Sequence, residues 1–308
     1  MNLRVKQKGG EVFGNNKWCW VPALFLLIVE SAWAGADAEL RLGSGPDGYR
    51  SHEVSAWVDV FHWPLVFDAR HFLAHSSEGR LLEEMDWGLS WQPAEWLLAN
   101  YKQKRTRGED LDIRTNEVGA EFVISSLWQA ERQTRFGLAY GKSVYSSNAP
   151  HPVVAALMSG ILPEAEKYSY SIEQEILSEF SVSLGYDEYR YSKDPLSVAR
   201  FLLRRLRRPN SSVFELTSFA DHSANLELSW RPSEIWSLKF SKARTVTVAQ
   251  QRLDSLGLET SYRFNKAFQM GASVTHSTST DVRRPNGTIL VEGTASNYFE
   301  IFGRLSFD

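Results

Sequence analysis

What limits this chain most is a side-chain period of two, sustained beyond the length of ordinary strands. In "MDWGLSW" (85–91), Met85, Trp87, Leu89 and Trp91 share one face, while Asp86, Gly88 and Ser90 share the other. The same alternation runs through 118–125, 180–186, 256–264, 268–274 and 299–307. Successive side chains of a strand point to opposite sides, so this pattern marks strands lying between two different environments. Strands of soluble sandwiches average about 5–6 residues; several of these runs last nine to fourteen, as in 252–264 and 267–280. Their polar faces are built from Ser, Gly, Thr, Glu and Arg.

Strands of this length suit a hydrocarbon layer, which a tilted strand crosses in about 9–11 residues with apolar groups toward lipid and polar groups toward a lumen. Only a closed barrel then satisfies every backbone N–H and C=O without helices. The first residues read as an export signal. Lys6, Lys8 and Lys17 supply a basic region, 21–29 an apolar core, and Ala32-Trp33-Ala34 a small-x-small cleavage site. Residues 1–34 are therefore expected to be removed, leaving 35–308 as one barrel domain, with a cut after Ala38 as the alternative. Nine apolar residues are too few for a transmembrane anchor. The single cysteine, Cys19, leaves with the signal, so no disulfide or thiolate metal site is expected in the mature chain. A net charge of −3 gives no basic excess to attract nucleic acid.

Signal, long alternating strands, absence of mature cysteine and a terminal aromatic strand ending in Phe307 together resemble Gram-negative outer-membrane β-barrels of the porin-like kind. The resemblance is to an architecture and covers nearly the whole mature chain. It implies an all-β, transmembrane, antiparallel up-and-down barrel with both termini periplasmic. The strands are expected at 37–44, 53–61, 65–75, 82–92, 96–106, 114–125, 133–146, 172–184, 186–194, 214–231, 235–247, 253–265, 267–280 and 296–307. That makes fourteen, an even number as bacterial barrels require; twelve is the alternative count.

A repeated turn sets the sidedness. "LSWQPAEW" (89–96) recurs as "LSWRPSEIW" (228–236), with Pro93 and Pro232 in the turns, where a residue lacking an N–H is tolerated. Trp63, Trp91, Trp96, Trp128, Trp230 and Trp236 all sit at short turns. Tryptophan favours the membrane interface, where the ring is half buried and its N–H stays wet, so these six should form a girdle. "YRFNKAF" (262–268) reads as a degenerate copy with Tyr262 in the Trp place. Short turns belong to the periplasmic side, and the longer or more polar connections at 107–113, 147–171, 195–213 and 281–295 belong outside. These Trp-x-Pro hairpins are also similar to those in the barrels of exopolysaccharide-export proteins, which usually carry a periplasmic repeat domain. The sequence has no room for one after Gly35, so such a partner would be a separate protein.

Parity assigns a lumen face. It includes Asp68, Arg70, Glu84, Asp86, Lys102 and Glu117 on the earlier strands, together with Asp59 and Asn100. Further along come Glu121, Arg135, Lys239, Glu259, Arg263, Glu300 and Arg304. Acidic and basic strands alternate around the wall, so this set could line an aqueous channel or cross-link a filled interior. Fourteen strands enclose more space than side chains alone usually fill, which favours a water-containing lumen narrowed by an inserted loop. Two loops could do this. "PVVAALMSGILP" (152–163) is apolar and suits an inward plug, a partner-binding tip or a piece lying on the rim. "LSVARFLLRRLRRP" (196–209) carries Arg200, Arg204, Arg205, Arg207 and Arg208 on an amphipathic pattern suited to an anionic lipid surface or, turned inward, to an acidic saccharide. Lys242 and Arg244, outward near the outer end of their strand, could meet lipopolysaccharide phosphates or stand above the membrane.

Catalysis finds little support. His222 beside Ser223 and His276 beside Ser277 do not follow the His-x-Ser-Asn order of outer-membrane lipid hydrolases, and adjacent strand residues face opposite ways. No phosphate loop, dinucleotide fingerprint or metal-ligand spacing occurs, so no cofactor or metal is expected. The expected role is a non-enzymatic channel for small hydrophilic or anionic solutes, or for glycan export. A non-conducting structural or receptor barrel is the alternative, and a lipid-modifying enzyme comes third. Expected partners are membrane lipid, lipopolysaccharide and the barrel-assembly machinery, with no nucleic acid.

Overall fold

The computed structural model describes residues 33–60, 63–77, 79–108, 111–125, 132–148, 152–198, 219–283, 287 and 289–307. Residues 1–32 of the stretch expected to be removed as a signal, Trp128 and the arginines of 200–208 lie outside the described residues.

Fourteen antiparallel strands close into a barrel: β1 (Trp33–Ser44), β2 (Arg50–Val60), β3 (Leu65–Ser76), β4 (Gly79–Ala94), β5 (Leu97–Arg107), β6 (Leu111–Ser125), β7 (Gln133–Ser147), β8 (Glu164–Leu177), β9 (Phe180–Tyr191), β10 (Ala220–Trp230), β11 (Trp236–Thr247), β12 (Arg252–Arg263), β13 (Phe268–Ser279) and β16 (Ala295–Phe307). Each pairs with its sequence neighbours. Closure comes from β1 against β16, with Leu40 opposite Gly303 and Leu42 opposite Ile301. A helix, α1 (Pro152–Ile161), lies between β7 and β8, and a two-stranded hairpin, β14 (Val282–Arg283) with β15 (Ile289–Val291), lies between β13 and β16. The barrel has fourteen strands, not twelve.

Register keeps the two faces distinct. Leu138, Leu258 and Ile301 are 52%, 49% and 58% exposed, and all belong to a continuous apolar outer band. No aqueous monomer exposes so wide an apolar surface; a barrel in lipid does. Substituting Leu258→Arg, in the middle of this band, is therefore expected to cost about 2–4 kcal/mol. A urea titration of the barrel folded into phospholipid vesicles reads this cost, and an unmoved midpoint would show that Leu258 does not face hydrocarbon.

The strand expectations need one substantive correction. Runs 172–184 and 186–194, joined at Gly185, are replaced by β8 (Glu164–Leu177) and β9 (Phe180–Tyr191), joined at 178–179. Gly185 is mid-strand opposite Asn225, and a Cβ there would collide with the Asn225 side chain. The glycine thus marks a close approach and not a turn. The start of β8 escaped notice because Glu164 and Glu166, on its outer face, are as polar as Lys167 and Ser169 behind them. The connection expected at 147–171 accordingly shrinks to the stretch that holds α1. Within the run expected at 214–231, β10 is described over Ala220–Trp230, residues 214–218 lying outside the described residues, and the connection expected at 107–113 shrinks to 108–110, the two flanking strands being longer than expected.

Candidate functional site

The repeated turn performs the same job in both copies. Gln92 N–H donates to Pro64 O at 2.8 Å in the preceding turn, and Arg231 N–H donates to Glu179 O at 2.6 Å. On the far side, Trp96 O accepts from Val123 N at 2.8 Å and Ile235 O accepts from Arg263 N at 2.8 Å. Each copy latches the hairpins beside it, while its proline needs no partner. The indoles stay on the outer rim, with Trp63 66% and Trp96 57% exposed; Trp91, Trp230 and Trp236 are also exposed. Trp236, Tyr262, Phe264 and Phe268 continue this rim as a string of ring contacts 4.9–5.6 Å apart.

Inside, the charges form clusters that sequence parity alone does not reveal. Arg41 on β1 reaches past β16 and β13 to Glu259 on β12 at 2.8 Å, and also binds Glu39. Glu300 stands 4.0 Å away. The guanidinium lies over the Phe302 ring, 4.3 Å from its centroid. That ring in turn lies where a Cβ of Gly271 would be, so the bare glycine makes room for the chord. Two strands further on, Arg70 on β3 binds Glu53 at 2.8 Å, Asp86 at 3.1 Å and Glu84 at 3.4 Å. Lys104 meets Glu84 at 2.8 Å and Lys102 stands 4.0 Å from Asp86. Because Arg41 faces Glu53 across the β1–β2 ladder, the two clusters form one belt from β12 round to β5.

Smaller pairs complete the wall. Lys167 binds Glu117, Lys239 binds Glu227 at 2.9 Å, and Arg304 binds Asp37 at 3.2 Å over the Trp57 ring. Arg135 faces Glu173, Glu121 faces Gly137, and Arg263 faces Gln269 on the same side. Asp59 and Asp68 belong to that side through Val66 and Trp57, and Asp187 through Ser223. The fifteen residues assigned to this face by parity are thus on the inner side. Glu39, Arg41, Glu53, Lys104, Lys167 and Glu173 belong to it as well and were missed. For Glu39 and Arg41 the signal was the alternation with Leu40 and Leu42; for Lys167 and Glu173 it was hidden by the misplaced β8.

The two halves of the interior differ. A cavity of about 1400 Å³ is lined from the level of Arg41, Glu53, Arg70 and Glu300 down to the turns at 178–179 and 231–235. Toward the opposite, long-loop end the inward side chains are packed: Ser51, Ala74, Thr106, Leu111, Ala165 and Thr247 are all buried. An apolar cluster fills one sector of that end. Met158 and Leu162, from α1 and the residue after it, pack with Leu111, Tyr145, Ala165, Val198 and Phe219. Tyr145 stacks on Phe219 with ring centroids 5.1 Å apart and an interplanar angle of 14°. Of the three readings of 152–163, the inward-packed one describes the buried face of this helix; Val153 and Leu157 stay exposed on the other.

On the outer face Arg244 pairs with Asp254 at 2.6 Å, whereas Lys242 lies between Leu226 and Leu256 with no ion pair among the described residues. His222 also faces outward, bonded to Asp221 at 2.9 Å, while Ser223 faces inward and donates to Asp187 at 3.2 Å. His276 is held by Asn297 at 2.7 Å on the outer face, away from the inward Ser277. Neither His–Ser neighbour pair shares a face, so neither can act as base and nucleophile.

Fold and interior define a class: the chain is a porin-like, outer-membrane-type β-barrel of fourteen strands. No protein-family model matches it, and no curated protein does. Among solved structures it is similar in fold to the CymD monoaromatic hydrocarbon channel, with TM-score 0.51 and 11% identity over 89% of this chain and 88% of that one. Acinetobacter baumannii OccAB1 follows at TM-score 0.47 and 8% identity over 90% and 97% of the two chains. The KdgM porin matches at TM-score 0.41 and 10% identity over 88% and 99%.

Proposed function

We propose that the chain is a non-enzymatic channel of the bacterial outer membrane, serving small hydrophilic solutes. The observation that carries this is the hollow itself. About 1400 Å³ of the interior is lined by paired and unpaired charged side chains, a surface that only water or a polar solute can occupy. With the short turns on the periplasmic side, the hollow opens toward the periplasm and the packed end faces outward. Lys242 then stands near the outer leaflet, where a lipopolysaccharide phosphate is the natural counter-charge, whereas Arg244 already has Asp254.

The packed long-loop end favours a second reading, a non-conducting receptor or structural barrel. Purified protein in planar bilayers separates the two. Discrete single-channel currents are expected, and a tight seal that persists after removal of 148–165 would leave the receptor reading. Esterase or deacylase activity on lipid A, lost on His276→Ala, would instead point to an enzyme.

A further inference from the structure

The interior is not electrically balanced. On the inward faces of the fourteen barrel strands, fifteen described positions carry Asp or Glu and nine carry Lys or Arg. Pairing deepens the asymmetry. Of the nine cations, all but Arg135 and Arg263 have a carboxylate within 4.0 Å among the described residues. Asp59, Asp68, Glu121, Glu173, Glu175 and Asp187 make no ion pair in that set. Asp68, Glu173 and Glu175 line the hollow together with Arg135 and Arg263, and the turns add Glu179 and Glu234 against Arg231. Asp86, whose side chain is 1% exposed, keeps Oδ1 buried without a hydrogen-bond donor despite Arg70 and Lys102 nearby. Arg304 Nε is buried without an acceptor in the same way, so the sign of the wall is set by the excess of carboxylates in number and among the unpaired groups.

A water-filled passage between low-dielectric walls focuses the field of its fixed charges, concentrating counter-ions and repelling co-ions. We propose that this channel passes cationic and neutral hydrophilic solutes in preference to anions, and that its cargo is small and bears an amine or guanidinium group. The inference rests on the channel reading and names its solute class. It departs from the anionic cargo suggested by the arginines of 196–209. Those at 200–208 lie outside the described residues.

Reversal potentials of the full mature chain in planar bilayers under a KCl gradient decide the matter. The expected result is a potential of cationic sign, with K⁺ over Cl⁻ permeability of ~3 or more at 0.1 M salt. Raising the salt to 1 M shortens the screening length from ~10 Å to ~3 Å and should pull the ratio toward one, which a purely steric filter would not do. The triple variant Asp68→Asn, Glu173→Gln, Glu175→Gln should lose most of the preference, while Glu188→Gln on the outer face should keep it. The salt series on the unmodified protein decides alone if the triple variant does not fold. Current with a ratio at or below one overturns the cation preference and leaves the channel standing. No current in any condition removes the channel, and the preference with it.

Discussion

Deleting α1 (Pro152–Ile161) and bridging the gap with a short Gly-Ser link is expected to raise single-channel conductance severalfold. The helix adds no strand pair to the barrel, so the β7–β8 ladder from Thr134 opposite Gln174 to Val144 opposite Glu164 survives its loss. What goes is the cap. Met158 is fully buried, and Leu162, which follows the helix, is nearly so, both against inward Leu111, Tyr145 and Ala165. Without Met158 those side chains lose their covering, and the sector they block becomes accessible to water. The milder substitution Met158→Asp places an unpaired charge in the same apolar cluster, and truncation of a buried methionine alone costs about 2–5 kcal/mol. It should therefore loosen the cap in the same direction. Planar-bilayer recordings provide the measurement, with heat-modifiable migration on gels showing that the barrel is intact. An intact deletion variant with unchanged conductance would show that the solute path does not pass the cap.

The second large effect concerns the belt. Arg70→Ala removes the one cation that bonds Glu53, Glu84 and Asp86 together, and Asp86 is too deeply placed for water to take over. Removing one partner of a buried pair costs up to about 3–5 kcal/mol. Arg70 itself is a third exposed and Lys104 still serves Glu84, so the expected loss is smaller, about 2–3 kcal/mol. The double variant Arg70→Ala, Asp86→Ala should recover part of it, because the most deeply buried uncompensated charge is gone. Urea midpoints for the two variants and the parent supply the test. A single variant within about 0.5 kcal/mol of the parent would mean that the belt adds charge to the wall without holding it together.

Most of the barrel was legible before any coordinates. Met85, Trp87, Leu89 and Trp91 announce an outward face and Asp86 an inward one, because strand side chains alternate whatever lies beside them. The sequence failed where alternation weakens. At β8, Glu164 and Glu166 rise above the apolar band, both faces become polar, and nothing in the sequence marks the strand start. Gly185 looked like a turn because its use is non-local: it leaves space for Asn225 on the next strand. The wall charges were readable as a set, but Arg41 and Glu259, 218 residues apart, could not be joined without knowing which strands close the barrel.

Period, approximate strand count and the face of each side chain could be read from the residues alone, since all three follow from backbone geometry within a single strand. The register across the β1–β16 seam, the chord from Arg41 over Phe302 to Glu259, and the division between a hollow half and a packed half emerge only once the barrel closes. Those depend on which distant strands become neighbours and where α1 packs. A strand's own alternation carries no information about either.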